Sequence, residues 1–102
     1  MSEPKDSAQW IARGIIRGGL LDIPRDRTEF TGSKSNRPTL QAALVVHMPS
    51  VYEQIHDGLA SGTIDPATAK LHTFHPAPDL TVAVDTKGAH GHLYIIVSLV
   101  TG

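Results

Sequence analysis

The segment from Leu80 to Val100, LTVAVDTKGAHGHLYIIVSLV, determines the fold prediction. Leu80, Val82 and Val84 alternate with more polar residues, which is the period of a half-buried strand. After the break at 86–89, the run 93–100 carries a second aliphatic row on every other residue. We therefore predict a C-terminal β-hairpin with a four-residue loop. In the predicted register both aliphatic rows share one face. The expected cross-strand pairs are Asp85 with His90, Ala83 with His92, Val82 with Leu93, and Leu80 with Ile95.

Length and composition indicate a single domain over residues 1–102, because 102 residues with 40% hydrophobic content suffice for one core. The absence of cysteine excludes disulfides and thiolate metal sites. The polar N-terminus does not resemble a secretory signal, and no apolar run is long enough to cross a membrane. We therefore expect a soluble, cytoplasmic protein. The formal net charge of −1 argues against a general nucleic-acid binder.

The rest of the chain predicts two helices and two further strands. A capping pattern at Asp6–Gln9 followed by an apolar stripe predicts a first helix over 7–17. The run 40–48 fits either a helix or a strand, and its flanking prolines and its valine pair favour a strand. A capping box at Ser50–Glu53 predicts a second helix that ends at Gly62. A short strand is expected over 70–75. The predicted fold is α+β, with two helices packed on a small, mainly antiparallel sheet of about four strands that ends in the C-terminal hairpin.

Residues 24–38 are predicted to form a long polar loop, which Phe30 attaches to the body of the protein. The loop is basic, and we consider Arg25, Arg27 and Lys34 candidate binding residues for a partner. Its Thr31–Ser35 run resembles part of a phosphate-binding loop. The full glycine pattern is missing, however, and no strand is predicted before the run, so a solvated loop is the preferred interpretation.

Histidine is the reactive residue type that the C-terminal half concentrates, since all six histidines lie between His47 and His92. His90, His92 and Tyr94 share one face of the predicted last strand, and Asp85 lies opposite in the hairpin. These four residues could form a metal-independent acid–base site in a small RNase or hydrolase. With His72 and His75, the two hairpin histidines could instead bind a metal ion. The simpler interpretation is a set of solvent-exposed histidines, and we expect no cofactor and no metal.

The second face of the last strand favours a binding function. Tyr94, Ile96, Ser98 and Val100 form a row that is largely apolar, so the strand is apolar on both sides. Two helices seldom cover both faces of a four-stranded sheet, which predicts that a partner covers this row. We therefore expect a non-enzymatic protein-binding module, an inhibitor or accessory factor, that is also a homodimer. Its expected contact residues are Tyr94, Ile96 and Ser98, together with the basic loop.

Overall fold

A computed structural model of the chain describes residues 6–17, 20–65, 67–68, 70–86 and 92–101. The elements follow in the order β1 (Asp6–Arg17), β2 (Leu20–Asp22), a 3₁₀ turn (Arg25–Arg27), β3 (Thr28–Gly32), α1 (Arg37–Ser61), β4 (Leu71–Ala77), β5 (Leu80–Asp85) and β6 (His92–Thr101). The predicted arrangement of two helices on about four strands is wrong. The described residues form one α-helix and a single six-stranded antiparallel sheet.

The sheet is organised around the pairing of β1 with β6. Its strand order is β2-β1-β6-β5-β4, and β3 also pairs with β1. One edge of β1 pairs with β6 from Asp6 to Ile15. Its other edge is divided between β3, which takes residues 8–12, and β2, which takes residues 15–17. Strand β1 therefore lies in the interior of the sheet, next to β6, the strand that the sequence pattern predicts most clearly.

The predicted first helix over 7–17 is strand β1. Ala8, Trp10 and Ala12 are buried, while the residues between them lie on the other side of the sheet. The same segment also shows a helical stripe, which is why the sequence predicted a helix. Pairing with β6 and β3 satisfies the hydrogen bonds of both edges of β1, and this long-range contact overrides the local preference.

The strand predicted over 40–48 and the helix predicted from Ser50 are one continuous helix, α1. Its sheet-facing side carries the buried residues Leu40, Met48, Val51 and Ile55. Pro49 lies inside the helix and removes one amide donor, but α1 continues through it. The predicted end at Gly62 is confirmed, because this glycine has the left-handed φ of 83° that terminates many helices.

The C-terminal hairpin has the predicted faces but a different register. Leu80 lies opposite Leu99 instead of Ile95, and Asp85 lies opposite Tyr94 instead of His90, so the register is shifted by four residues. An even shift leaves every side chain on the same face of the sheet. For this reason both aliphatic rows are buried on the helix side, as predicted. The predicted turn at 87–89 and His90 lie outside the described residues.

The segment expected as a polar loop, 24–38, contains the 3₁₀ turn, β3 and the start of α1. Phe30 pairs with Trp10 and packs against the core, so its expected anchoring role is confirmed. The strand expected near 70–75 is also confirmed, as β4. One hydrophobic core joins α1 to the covered side of the sheet, and no helix in the described part of the chain combines the length and hydropathy needed to cross a bilayer.

Candidate protein-binding face

Among the residues that the structure describes, no helix lies over the face of the sheet opposite α1. The residues that alternate with the buried rows of β1, β6, β5 and β4 point to this side, and we call it the open sheet face. Its central strands, β1 and β6, contribute Gln9, Ile11, Arg13, Ile15, His92, Tyr94, Ile96, Ser98 and Val100. Most of the β6 residues in this row are half-buried by their neighbours, and Val100 remains 42% exposed.

Cross-strand pairs define the chemistry of the open sheet face. Ile11 lies directly opposite Ile96, which places two aliphatic side chains at its centre. On one side of this pair, Gln9 Nε2 donates a hydrogen bond to Ser98 Oγ at 3.2 Å. On the other side, the Arg13 guanidinium lies over the Tyr94 ring, 5.4 Å from its centroid. Such a cation–π contact restricts both side chains and contributes about 0.5–1 kcal/mol at an exposed site.

A depression of about 250 Å³ lies beside the Arg13–Tyr94 pair. Its walls come from β1, β6 and the segment 26–29, and they are formed by Ile11, Arg13, Asp26, Arg27, Thr28, Glu29 and Tyr94. A second depression of about 240 Å³ shares Arg13, Asp26 and Arg27 with the first and extends to Ile15 and His92. We call these two adjoining depressions the groove. Its lining combines the aliphatic residues Ile11 and Ile15 with charged residues of both signs.

The structure brings part of the predicted binding set together. Tyr94, Ile96 and Ser98 lie in one row on the open sheet face, as expected from their alternation. Arg27 borders the groove next to Tyr94, whereas Arg25 and Lys34 do not line it. Arg25 is exposed in the 3₁₀ turn, and Lys34 is exposed in the turn that precedes α1.

The predicted acid–base cluster is only partly assembled among the described residues. His92, Tyr94 and Asp85 share the open sheet face, but the register places Tyr94 across from Asp85, in the position predicted for His90. The Asp85–His90 pairing is therefore wrong, and His90 itself lies outside the described residues. The catalytic role of these residues stays a prediction.

Two of the predicted metal candidates, His72 and His92, lie on different faces of the sheet. His72 pairs with Val84, a residue of the buried row, so it faces α1, whereas His92 lies on the open sheet face. His75 lies three residues beyond His72, near the irregularity that interrupts β4. Within the described ranges, no group of three or more histidine or acidic side chains is arranged to hold a metal ion.

Sequence reasoning missed the β1 half of the open sheet face. Ile11 and Arg13 were assigned to a helix, so their position beside Ile96 and Tyr94 was not expected. The signal available in the sequence was a period of two residues. Every second residue of this segment belongs to the open sheet face, namely Ser7, Gln9, Ile11, Arg13 and Ile15. Asp26 and Glu29 were missed because the segment that carries them was interpreted as a loop.

The fold presents one sheet surface of mixed apolar and charged character, the composition typical of protein-interaction surfaces. Comparison with family models assigns the chain to a protein family. It belongs to the CbeA antitoxin family, described as type IV antitoxin, cytoskeleton bundling-enhancing factor A, whose model matches residues 4–99. The chain is thus a small protein of the antitoxin kind. Comparison with individually curated proteins gives no match.

Proposed function

We propose that this chain is a non-enzymatic antitoxin that binds a cytoskeletal filament protein through the open sheet face and increases the bundling of its filaments. The observation that carries the proposal is the uncovered Ile11–Ile96 pair, flanked by the Arg13–Tyr94 contact. The family description supplies the class of partner. Action on a cytoskeletal filament also implies a cytoplasmic location, and we expect no nucleic-acid partner.

The composition of the open sheet face suits a protein contact. Stable interfaces combine an apolar centre with a polar rim, and tyrosine and arginine are enriched among the residues that contribute most to affinity. Here Ile11 and Ile96 form the apolar centre. Arg13 and Tyr94 form a cation–π pair beside it, and Arg27 and Glu29 add charges at the rim. Charges of both signs favour a partner surface that presents charges of both signs in the complementary order.

Bundling adds a requirement on stoichiometry. A protein that joins two filaments must contact both at once, so a unit with one binding face has to be at least bivalent. A homodimer with two open sheet faces meets this requirement with a single kind of site. We therefore propose that the active unit is a homodimer in which the open sheet faces remain free.

The proposal is tested by co-sedimentation of the purified chain with polymerised actin-like and tubulin-like filament proteins. The test variant is Ile11→Thr with Ile96→Thr, which removes the apolar centre but retains branched side chains that suit strands. We expect at least a tenfold loss of filament binding, because central apolar contacts often account for 1.4 kcal/mol or more of binding free energy.

The matched control is Val45→Thr with Val46→Thr, the same kind of double change on exposed residues of α1. It should retain filament binding, and both variants should keep the circular dichroism spectrum of the wild type. Unchanged filament binding by a folded Ile11→Thr/Ile96→Thr variant would exclude the open sheet face as the binding site.

A further inference from the structure

The outer side of α1 carries an apolar ridge where a surface helix normally carries polar residues. We call it the helix ridge, and it consists of Ala42, Val45, Val46 and Pro49. Ala42 and Pro49 are each three and four residues from the two valines, which places all four side by side on the helix. All four are exposed, Val45 by 78% and Val46 by 69%. A helix that is apolar both toward its sheet and toward solvent is typical of a helix covered on two sides.

The helix ridge borders a shallow apolar depression. The depression lies between α1 and β1, has a volume of about 320 Å³, and is lined by Trp10, Leu44, Val45, Met48, Pro49 and Tyr52. Val45 and Pro49 belong to both features, so ridge and depression form one continuous apolar patch. In a two-fold contact the same patch serves both copies, so the ridge of each copy can pack on the depression of the other.

The charges along α1 also favour a second copy as the partner. Lys34 lies in the turn before α1, whereas Glu53 and Asp57 lie in its C-terminal half, on the same side of the helix as Val46. When two copies of the helix pack antiparallel across Val46, the basic end of each lies near the acidic half of the other. The antiparallel arrangement also opposes the two helix dipoles favourably. A parallel arrangement would bring like charges together.

We propose that two copies of this chain associate through their helix ridges, packed antiparallel about a two-fold axis. The inference deepens the proposed function, since it supplies the bivalent unit that bundling requires. Because α1 covers one side of the sheet, pairing through the outer side of α1 directs the two open sheet faces away from each other. A 25-residue helix is about 37 Å long, which provides an extended contact line.

The first test is the oligomeric state of the full chain, measured by size exclusion with light scattering. The wild type should be a dimer, and Val45→Glu with Val46→Glu should be a monomer, because four carboxylates would meet at the two-fold axis. Both positions are exposed and glutamate favours helices, so the variant should fold. The Ile11→Thr/Ile96→Thr variant should remain a dimer. A monomeric wild type, or a dimeric Val45→Glu/Val46→Glu variant, would overturn the proposal.

A charge exchange tests the antiparallel packing. Lys34→Glu and Asp57→Lys should each weaken the dimer about threefold to tenfold at low salt, since each pair occurs twice in a two-fold contact. The double variant should recover most of the wild-type affinity. Additive weakening in the double variant would show that Lys34 and Asp57 do not meet across the interface, and would reject the antiparallel packing.

Filament assays separate this inference from the proposed function. The Val45→Glu/Val46→Glu variant should sediment with filaments at high speed and fail to form bundles that sediment at low speed. Retained bundling by this monomer would contradict the role of the helix ridge while leaving the open sheet face intact as the binding site. Conversely, retained filament binding by an Ile11→Thr/Ile96→Thr variant that is still a dimer would contradict only the proposed function.

Discussion

The two sides of β6 differ in what covers them. Leu93, Ile95 and Val97 are fully buried between the sheet and α1. Tyr94 and Ile96 alternate with them on the open sheet face, where neighbouring strands shield them in part. The covered row is wholly aliphatic in the sequence, whereas the open row mixes apolar residues with Tyr94 and Ser98. The difference teaches that one strand can hold the fold together with one set of side chains and keep the other set available for a partner.

The comparison is tested most strongly by one substitution on each side of β6. Ile95→Ala should lower the free energy of unfolding by about 2–5 kcal/mol, since it removes a fully buried side chain and leaves a cavity beneath α1. Ile96→Ala should cost roughly 1 kcal/mol or less, because its side chain borders solvent.

Urea unfolding followed by circular dichroism measures both values. Val97→Ala serves as a second probe of the covered row and should resemble Ile95→Ala. If Ile96→Ala were as costly as Ile95→Ala in the isolated protein, the open sheet face would have to be part of the core of the fold.

The covered row could be predicted from the sequence because alternation alone identifies it. The four-residue error in the hairpin register did no harm to that prediction, since an even shift preserves the faces. The pairing partners could not be predicted in the same way. They depend on where the turn lies, and the glycines at 88 and 91 allow more than one position.

The errors at β1 and α1 have physical causes that local patterns do not show. Residues 7–17 fit both periods, and the decision in favour of a strand comes from β6, about eighty residues away in sequence. In α1, the buried residues Leu40, Met48, Val51 and Ile55 follow one helical stripe through Pro49. The proline and the capping pattern at Ser50 suggested a boundary, but packing against the sheet stabilises the helix through it.

The buried row of β5 ends in a polar residue, and this end provides a second, smaller test. Thr86 is 1% exposed. Its hydroxyl donates to the carbonyl oxygen of Thr68 at 2.7 Å and accepts from the amide of Lys70 at 3.0 Å. These bonds hold the segment before β4 against the end of β5.

Thr86→Val retains the shape of the side chain but leaves both backbone groups without this partner. We expect a loss of about 1–3 kcal/mol in the free energy of unfolding, the usual cost of an unsatisfied buried polar group. Thr86→Ser keeps the hydroxyl and should lose less. Hydrogen exchange at the Lys70 amide gives a local readout, and it should accelerate in the valine variant more than in the serine variant. A loss in the serine variant that equals or exceeds the loss in the valine variant would show that the methyl group contributes at least as much as the hydroxyl.

The smallest expected effect concerns Tyr52, which lies on the covered side of the molecule. With Leu21, Ile23 and His56 it borders a hollow of about 280 Å³ between α1 and β2. Burial raises the pKa of the Tyr52 phenol above its usual value near 10, because the phenolate is poorly solvated there. The folded state therefore binds this proton more tightly than the unfolded chain.

The sign of the pH dependence follows from that difference. Below pH 10 the phenol is protonated in both states, and its contribution to stability is fully present. As the pH rises through the pKa of Tyr52 in the folded protein, that contribution is lost. Tyr52→Phe cannot ionise, so its stability should fall less than that of the wild type between pH 8 and pH 11. Urea unfolding of both proteins at the two pH values measures the difference. An equal fall in the two proteins would mean that the Tyr52 phenolate is solvated in the folded state, and that this part of the covered side is open to water.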